Sequence, residues 1–182
     1  MGIVRAVCIS DRRGIQKIDV GAATFAPDCG IVNDAHRGTW HRQVSLLSYD
    51  KIEEFKRRGA DVGPGAFGEN LVVEGFDFRS LPVGTRFQCG GVLLEMTQIG
   101  KECHSHCQIY HKMGDCIMPR EGVFARVLHG GTISVGDEMT AIPPAAGAPL
   151  RAAVVTLSDK GAAGQRVDES GPAAVELLEQ AG

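Results

Sequence analysis

The sequence predicts a mostly β fold, a largely antiparallel sheet closed on itself with a few peripheral helices, followed by a short strand–helix appendage. Three observations lead there. Short apolar runs recur through the first 142 residues and are punctuated by glycine, of which the 182-residue chain has 24. In the first hundred residues a single segment reads as a helix. Finally, Pro143-Pro-Ala-Ala-Gly-Ala-Pro149 is a linker by composition. Residues 1–143 are therefore expected to form one domain, 144–150 the linker, and 151–182 an appendage too small to bury its own core.

Taken in order, Gly2 to Ile9 supplies Val4, Val7 and Ile9 to a core and reads as a strand, and Asp11 to Gly14 as a turn. Gln16 to Ala23 follows as a second strand, broken by Pro27-Asp-Cys-Gly30. Ser48 stands as an N-cap for a helix from Tyr49 to Arg58 that stops at Gly59. Pro64 to Gly68 has no Lys-Ser/Thr after it, so it reads as a close backbone approach rather than a phosphate loop. Glu69–Glu74, the segment after Leu81-Pro-Val-Gly84, and Gly91–Ile99 are strands. Pro119–Gly122 is a turn into the strand Val123–Leu128, and Ser134–Thr140 repeats the turn–strand pattern. Beyond the linker, Ala152–Leu157 reads as a strand, Ser158–Ser170 as a polar loop, and Pro172 opens a helix to about Gln180.

Composition narrows the function. A net charge of -3 gives no reason to expect nucleic acid or an anionic membrane as partner. The N-terminus lacks the basic and long apolar regions of a secretory signal, Gly2 is not followed by a myristoylation pattern, and no apolar run is long enough to span a bilayer. A cytoplasmic location is expected, in which cysteines stay reduced and a cluster of them reads as catalytic or metal-binding.

Gly100-Lys-Glu-Cys-His-Ser-His-Cys-Gln-Ile-Tyr-His-Lys-Met-Gly-Asp-Cys116 holds three of the six cysteines and three of the six histidines. Such density points to thiol chemistry or to a metal, because both need a thiolate beside a positive or Lewis-acidic group. Lys101, His104, His106 and His111 can supply the field. Lowering a thiol from a pKa of ~8.5 to ~7 raises its thiolate fraction roughly tenfold at neutral pH. A second cluster, His36, Arg37, His41 and Arg42 around Trp40, suits an anion such as phosphate, since arginine offers a planar fork of donors. A solvated basic loop is the competing reading. No catalytic triad, carboxylate pair or phosphate loop is visible, which argues against hydrolysis and phosphoryl transfer.

Residues 1 to about 143 resemble the MOSC domain, the module found at the C-terminus of molybdenum cofactor sulfurases and as stand-alone bacterial proteins. Asp34-Ala-His36 with Trp40-His-Arg-Gln-Val-Ser-Leu46, Gly68-Glu-Asn-Leu71, Val83-Gly84, Glu95-Met-Thr-Gln98 leading to Cys103, and Gly136-Asp137 carry the resemblance. It implies a β-barrel-like fold and a cysteine that carries sulfur to a target such as the molybdenum cofactor, a role that falls on Cys103. The tail, Ala153-Val-Val-Thr-Leu-Ser-Asp159 with Gly161 and Asp168-Glu-Ser-Gly-Pro172, is similar to the opening of a molybdopterin adenylyltransferase domain. The later glycine-rich elements of that family are absent, so adenylyl transfer is not expected.

Three accounts of the Cys/His stretch follow. In the first, Cys103 accepts sulfane sulfur from a pyridoxal-phosphate cysteine desulfurase, Lys101 supports its thiolate, and Cys107 or Cys116 resolves the persulfide. The acceptor is the molybdenum cofactor or a molybdoenzyme. An anionic molybdopterin-type ligand is then expected on His36, Arg37, His41, Arg42 and Arg126, with Glu69 and Asn70 of the resembling motif. In the second, Cys103, Cys107, Cys116 and a histidine such as His106 bind zinc or another thiophilic metal, and the alternative function is a non-catalytic metal- or molybdopterin-binding accessory module. In the third, the cysteines are inert and buried.

Overall fold

The computed structural model describes residues 1–101, 108–145, 167 and 170–181. The chain falls into two compact units, Met1–Pro144 and Ala145–Gly182. In the first, seven strands close a barrel: β1 (Gly2–Ile9), β5 (Val44–Ser48), β6 (Leu71–Glu74), β7 (Arg86–Cys89), β8 (Val92–Ile99), β9 (Val123–His129) and β11 (Glu138–Ile142). Their order around the ring is β11-β7-β8-β9-β5-β6-β1, and β11 pairs with β1 at Gly2↔Met139 to shut it. Every pairing is antiparallel except β5–β6, whose connection is the helix α1 (Tyr49–Arg57) expected of a parallel crossover. The short β2 (Ile18–Asp19) extends β1, while β3 (Ala22–Ala26), β4 (Gly30–Ile31) and β10 (Gly131–Ser134) make a small separate sheet. The mostly β class expected from the sequence is what the chain adopts.

Alternation along each strand sorts the apolar residues to two sides. Val44 and Leu46, Leu71 and Val73, Leu94 and Met96, and Val123, Ala125 and Val127 fill the barrel interior. The intervening Leu47, Val72 and Phe124 face outward into a second cluster with Ile52 and Phe55 of α1. The helices α2 (Gln108–Met113) and α3 (Met118–Glu121) contribute Ile109 and Met118 to this cluster. Strand β1 crosses between sides at a bulge between Val4 and Ala6, which is why Val4 and Val7, three apart, share the interior. β5 is buried along its whole length, as a strand covered on both faces must be.

Three expectations shift in detail. The strand expected over Gln16–Ala23 is two short ones, because Gly21 takes a positive φ and Asp19 Oδ1 accepts from both Val7 N and Gly21 N to stabilise the turn. Pro119 sits in the first turn of α3 instead of in a plain turn, a position where its missing N–H costs nothing. Ser48 occupies the N-cap of α1 but its side chain makes no capping bond, and the helix stops with Gly59 at φ 97°. In the second unit, Ser170–Ala181 is a helix, α4, that includes Pro172 near its start. The expected strand Ala152–Leu157 lies outside the described residues. Among the described residues, no helix is long and apolar enough to cross a membrane.

Candidate functional site

A buried ion pair shapes the basic segment. Lys17 Nζ donates to both oxygens of Asp34, at 2.9 and 3.0 Å, with both side chains almost wholly out of water. Asp34 also accepts from Ser10 N and His36 N, each at 3.0 Å. Burial alone would raise the Asp34 carboxyl; His36, the Lys17 ammonium and the Ser10 N–H outweigh it and hold it well below the usual carboxylate range. Burial likewise pulls Lys17 down, against the opposing pull of Asp34. The residues after Asp34 are thereby set at the barrel rim, where Ala35 N donates to Ser10 O, Arg13 Nε donates to Ala35 O, and Gly38 N donates to Cys29 O.

From there the segment folds on its aromatic residue. Trp40 Nε1 donates to His36 O at 2.9 Å. The Arg42 guanidinium lies 4.8 Å from the Trp40 ring centre and 5.6 Å from that of Phe124 on β9. Arginine set against aromatic faces is held as a planar fork of donors. Arg42 Nε and Ser10 Oγ are buried polar atoms with no hydrogen-bond partner, an arrangement that carries a cost until a ligand or water supplies one, whereas His36 Nδ1 faces Asp34 Oδ2 at 3.5 Å. Gln43 then accepts from Val127 N at 2.8 Å, fixing the residue after Arg42 onto β9.

The end of β8 meets this segment. Thr97 Oγ1 donates to His41 O. Gln98 Oε1 lies 2.9 Å from His41 Nε2, and its Nε2 donates to Gly100 O at 2.7 Å. Gly100 has φ 66°, and a Cβ there would collide with the Pro119 carbonyl, so only glycine fits. Gly100 N donates to Gly122 O at 2.7 Å, which ties the start of the Cys/His stretch to the start of β9. Lys101, half-buried, therefore begins that stretch next to the basic segment. Near the end of the stretch, Asp115 accepts from Arg120 at 2.8 and 3.1 Å and from Arg58 at 3.0 Å. Those bonds, Arg120 foremost, hold its carboxyl well below the usual range.

The residues expected to act divide into groups. Trp40 meets His36, His41 meets Gln98 and Arg42 meets Trp40 and Phe124, while Arg37 is exposed on the same segment. Arg126 lies on the outward face of β9 but is paired with Glu95, at 2.7 and 3.1 Å, which Arg86 also approaches. Glu69 and Asn70 are fully buried and bonded to the protein's own chain. Glu69 accepts from Gly65 N at 2.7 Å and Phe67 N at 3.0 Å, while Asn70 bonds Ser45 and the Cys8 carbonyl. Burial pushes Glu69 up to about 7 despite those N–H donors and the Lys17 charge. Cys116 is buried in the outer apolar cluster under α2 and α3. Cys103, Cys107 and His106, with His104, lie outside the described residues. Among the described residues, no group of three or more His, Cys, Asp or Glu side chains is placed to hold a metal ion.

Sequence reasoning passed over Lys17 and Gln98. Lys17 carries no local signal, since its partner is seventeen residues away; Gln98 belongs to a stretch whose resemblance was plain but whose side-chain role was not.

Residues 33–140 match the family model of the MOSC domain. The chain belongs to the MOSC domain family. Crystal structures similar in fold include those of three bacterial proteins. The YuaD protein from Bacillus subtilis superposes with a TM-score of 0.64 at 21% identity, covering 76% of this chain and 94% of that one. YiiM from Geobacillus stearothermophilus gives 0.60 at 18%, covering 81% and 78%. YiiM from Escherichia coli gives 0.55 at 16%, covering 78% and 70%. No curated protein sequence matches the chain. MOSC membership fits a general role around the molybdenum cofactor, and the residues present suit the anionic part of such a group: Arg42, set against two rings, carries a planar fork of donors that matches an oxyanion.

Proposed function

We propose that this MOSC barrel is a sulfur-carrier module of molybdenum cofactor metabolism, holding sulfane sulfur on Cys103 and an anionic molybdopterin-type ligand on the basic segment. The observation that supports it is the junction at Gln98, which touches both His41 and Gly100 and so starts the Cys/His stretch beside Arg42. Loading proceeds by attack of the Cys103 thiolate on the outer sulfur of a desulfurase persulfide. The sulfur–sulfur bond of the donor breaks, its cysteine leaves as a thiolate, and Cys103 carries the new persulfide. Lys101, two residues before it, favours the thiolate by charge. Arg42 and His41 hold and orient the ligand, while the cofactor, when bound, supplies the metal centre that takes the sulfur. Resolution by Cys116 requires its thiol to leave the apolar packing under α2 and α3. The cysteine desulfurase, with its pyridoxal phosphate, is a partner in this reading, as is the molybdoenzyme or cofactor that accepts.

The test is to incubate wild type and Cys103→Ser with a cysteine desulfurase and cysteine, then map sulfur adducts by mass spectrometry. The expected result is a persulfide on Cys103 in wild type and none at position 103 in a variant that remains folded. A persulfide only on Cys107 or Cys116 moves the role there. No adduct on any cysteine, together with stoichiometric zinc in protein purified without chelator, replaces the carrier by the metal-binding accessory module.

A further inference from the structure

The amide of Gln98 has only one orientation that satisfies both of its contacts. A carbonyl oxygen can only accept, so the group 2.7 Å from Gly100 O is the amide NH₂. The amide oxygen then faces His41, and the ring nitrogen 2.9 Å away, Nε2, must carry a proton to bond it. A neutral imidazole has one N–H, so Nδ1 of His41 is left as a lone pair. The main chain at His41 is held as well, through the Thr97 hydroxyl that donates to its carbonyl. One residue on, Arg42 offers donors and nothing else, stacked between Trp40 and Phe124.

We infer that Gln98 is a positioning residue that fixes His41 in its Nε2–H tautomer and presents Nδ1 as a hydrogen-bond acceptor on a ring that, like the Arg42 guanidinium, lies against Trp40. The segment then has two poles of opposite character. It selects anions that also carry an N–H donor, as a pterin with an acidic substituent does, over anions that carry none. The inference deepens the proposed ligand site and rests on Asp34–Arg42 being that site.

Two measurements on the full chain test it. Long-range proton–nitrogen correlation spectra at about pH 8, above the ordinary imidazole range, should show His41 protonated on Nε2 in wild type. Gln98→Leu should give a tautomer mixture. Gln98→Glu should restore the single tautomer, because a carboxylate still accepts from Nε2. Calorimetric titration with pterin carboxylate and with naphthoate, an anion without N–H donors, should show wild type preferring the pterin by about 3–10-fold, the worth of one neutral hydrogen bond. Gln98→Leu should lose that preference, and Arg42→Ala should weaken both probes. A wild-type His41 protonated on Nδ1, or a preference unchanged in Gln98→Leu, overturns the inference. If neither probe binds wild type, the reading of the segment as a ligand site fails, while the tautomer spectra still decide the role of Gln98.

Discussion

Replacing Glu69 by Gln should remove one source of pH dependence in stability near neutrality. The carboxyl is fully buried, bonded to Gly65 N and Phe67 N. Burial raises it from the ordinary 4.5 to about 7. The folded protein thus keeps this proton where the unfolded chain has released it. Its contribution to stability is complete below about 4.5 and is lost as pH rises to about 7, after which it is flat. At 1.36 kcal/mol per unit, the gap of about 2.5 units between those two values comes to about 3 kcal/mol. A glutamine keeps one acceptor and forfeits the other, leaving one backbone N–H unsatisfied at about 1–3 kcal/mol. The variant should therefore be less stable than wild type at about pH 5 and should gain about 3 kcal/mol relative to it by about pH 8. Asp34, held low, loses its contribution only as pH falls through the acid range and does not enter this window. Urea unfolding of both proteins across that range measures the difference directly, and subtraction removes the other titrating groups. A difference that does not move with pH, or wild type gaining on the variant as pH rises, would refute the reasoning.

Two further outcomes separate residues that look alike in the sequence. Arg42→Ala should weaken molybdopterin binding by about 1.5–3 kcal/mol in titration calorimetry, the worth of a charge-assisted bond, whereas Arg126→Ala should change it little, because Glu95 already occupies that guanidinium; equal losses would place Arg126 in the site. Cys8 and Cys89, pushed up by burial to about 12 and about 11, should resist alkylation at about pH 8 in the folded protein and react only on unfolding, as peptide mapping after iodoacetamide treatment would show; fast native labelling of either would contradict their burial.

Much of the barrel was open to reading because local rules set it. β1 has the bounds that alternation marks out, and α1 starts and stops where Ser48 and Gly59 punctuate the chain. The density of cations in Asp34–Arg42 is likewise a property of neighbours in sequence, and so is the crowding of sulfur and imidazole between Cys103 and Cys116. What those cations do is not local. Arg42 and Arg126 carry the same group, yet one stacks on Trp40 and Phe124 and the other meets Glu95 across the β8–β9 register. Glu69 and Asn70 stand in a polar motif, but the pairing of β5, β6 and β1 draws both inside, where backbone groups need them. Lys17 finds Asp34, and Gln98 finds His41, only once the barrel has closed, because partners 17 and 57 residues apart are chosen by the fold and not by spacing. Periodicity and composition act over a few residues and so determine elements and candidate donors; which donor is neutralised, which is buried and which is set against aromatic rings is decided by the contacts that burial forces between distant parts of the chain.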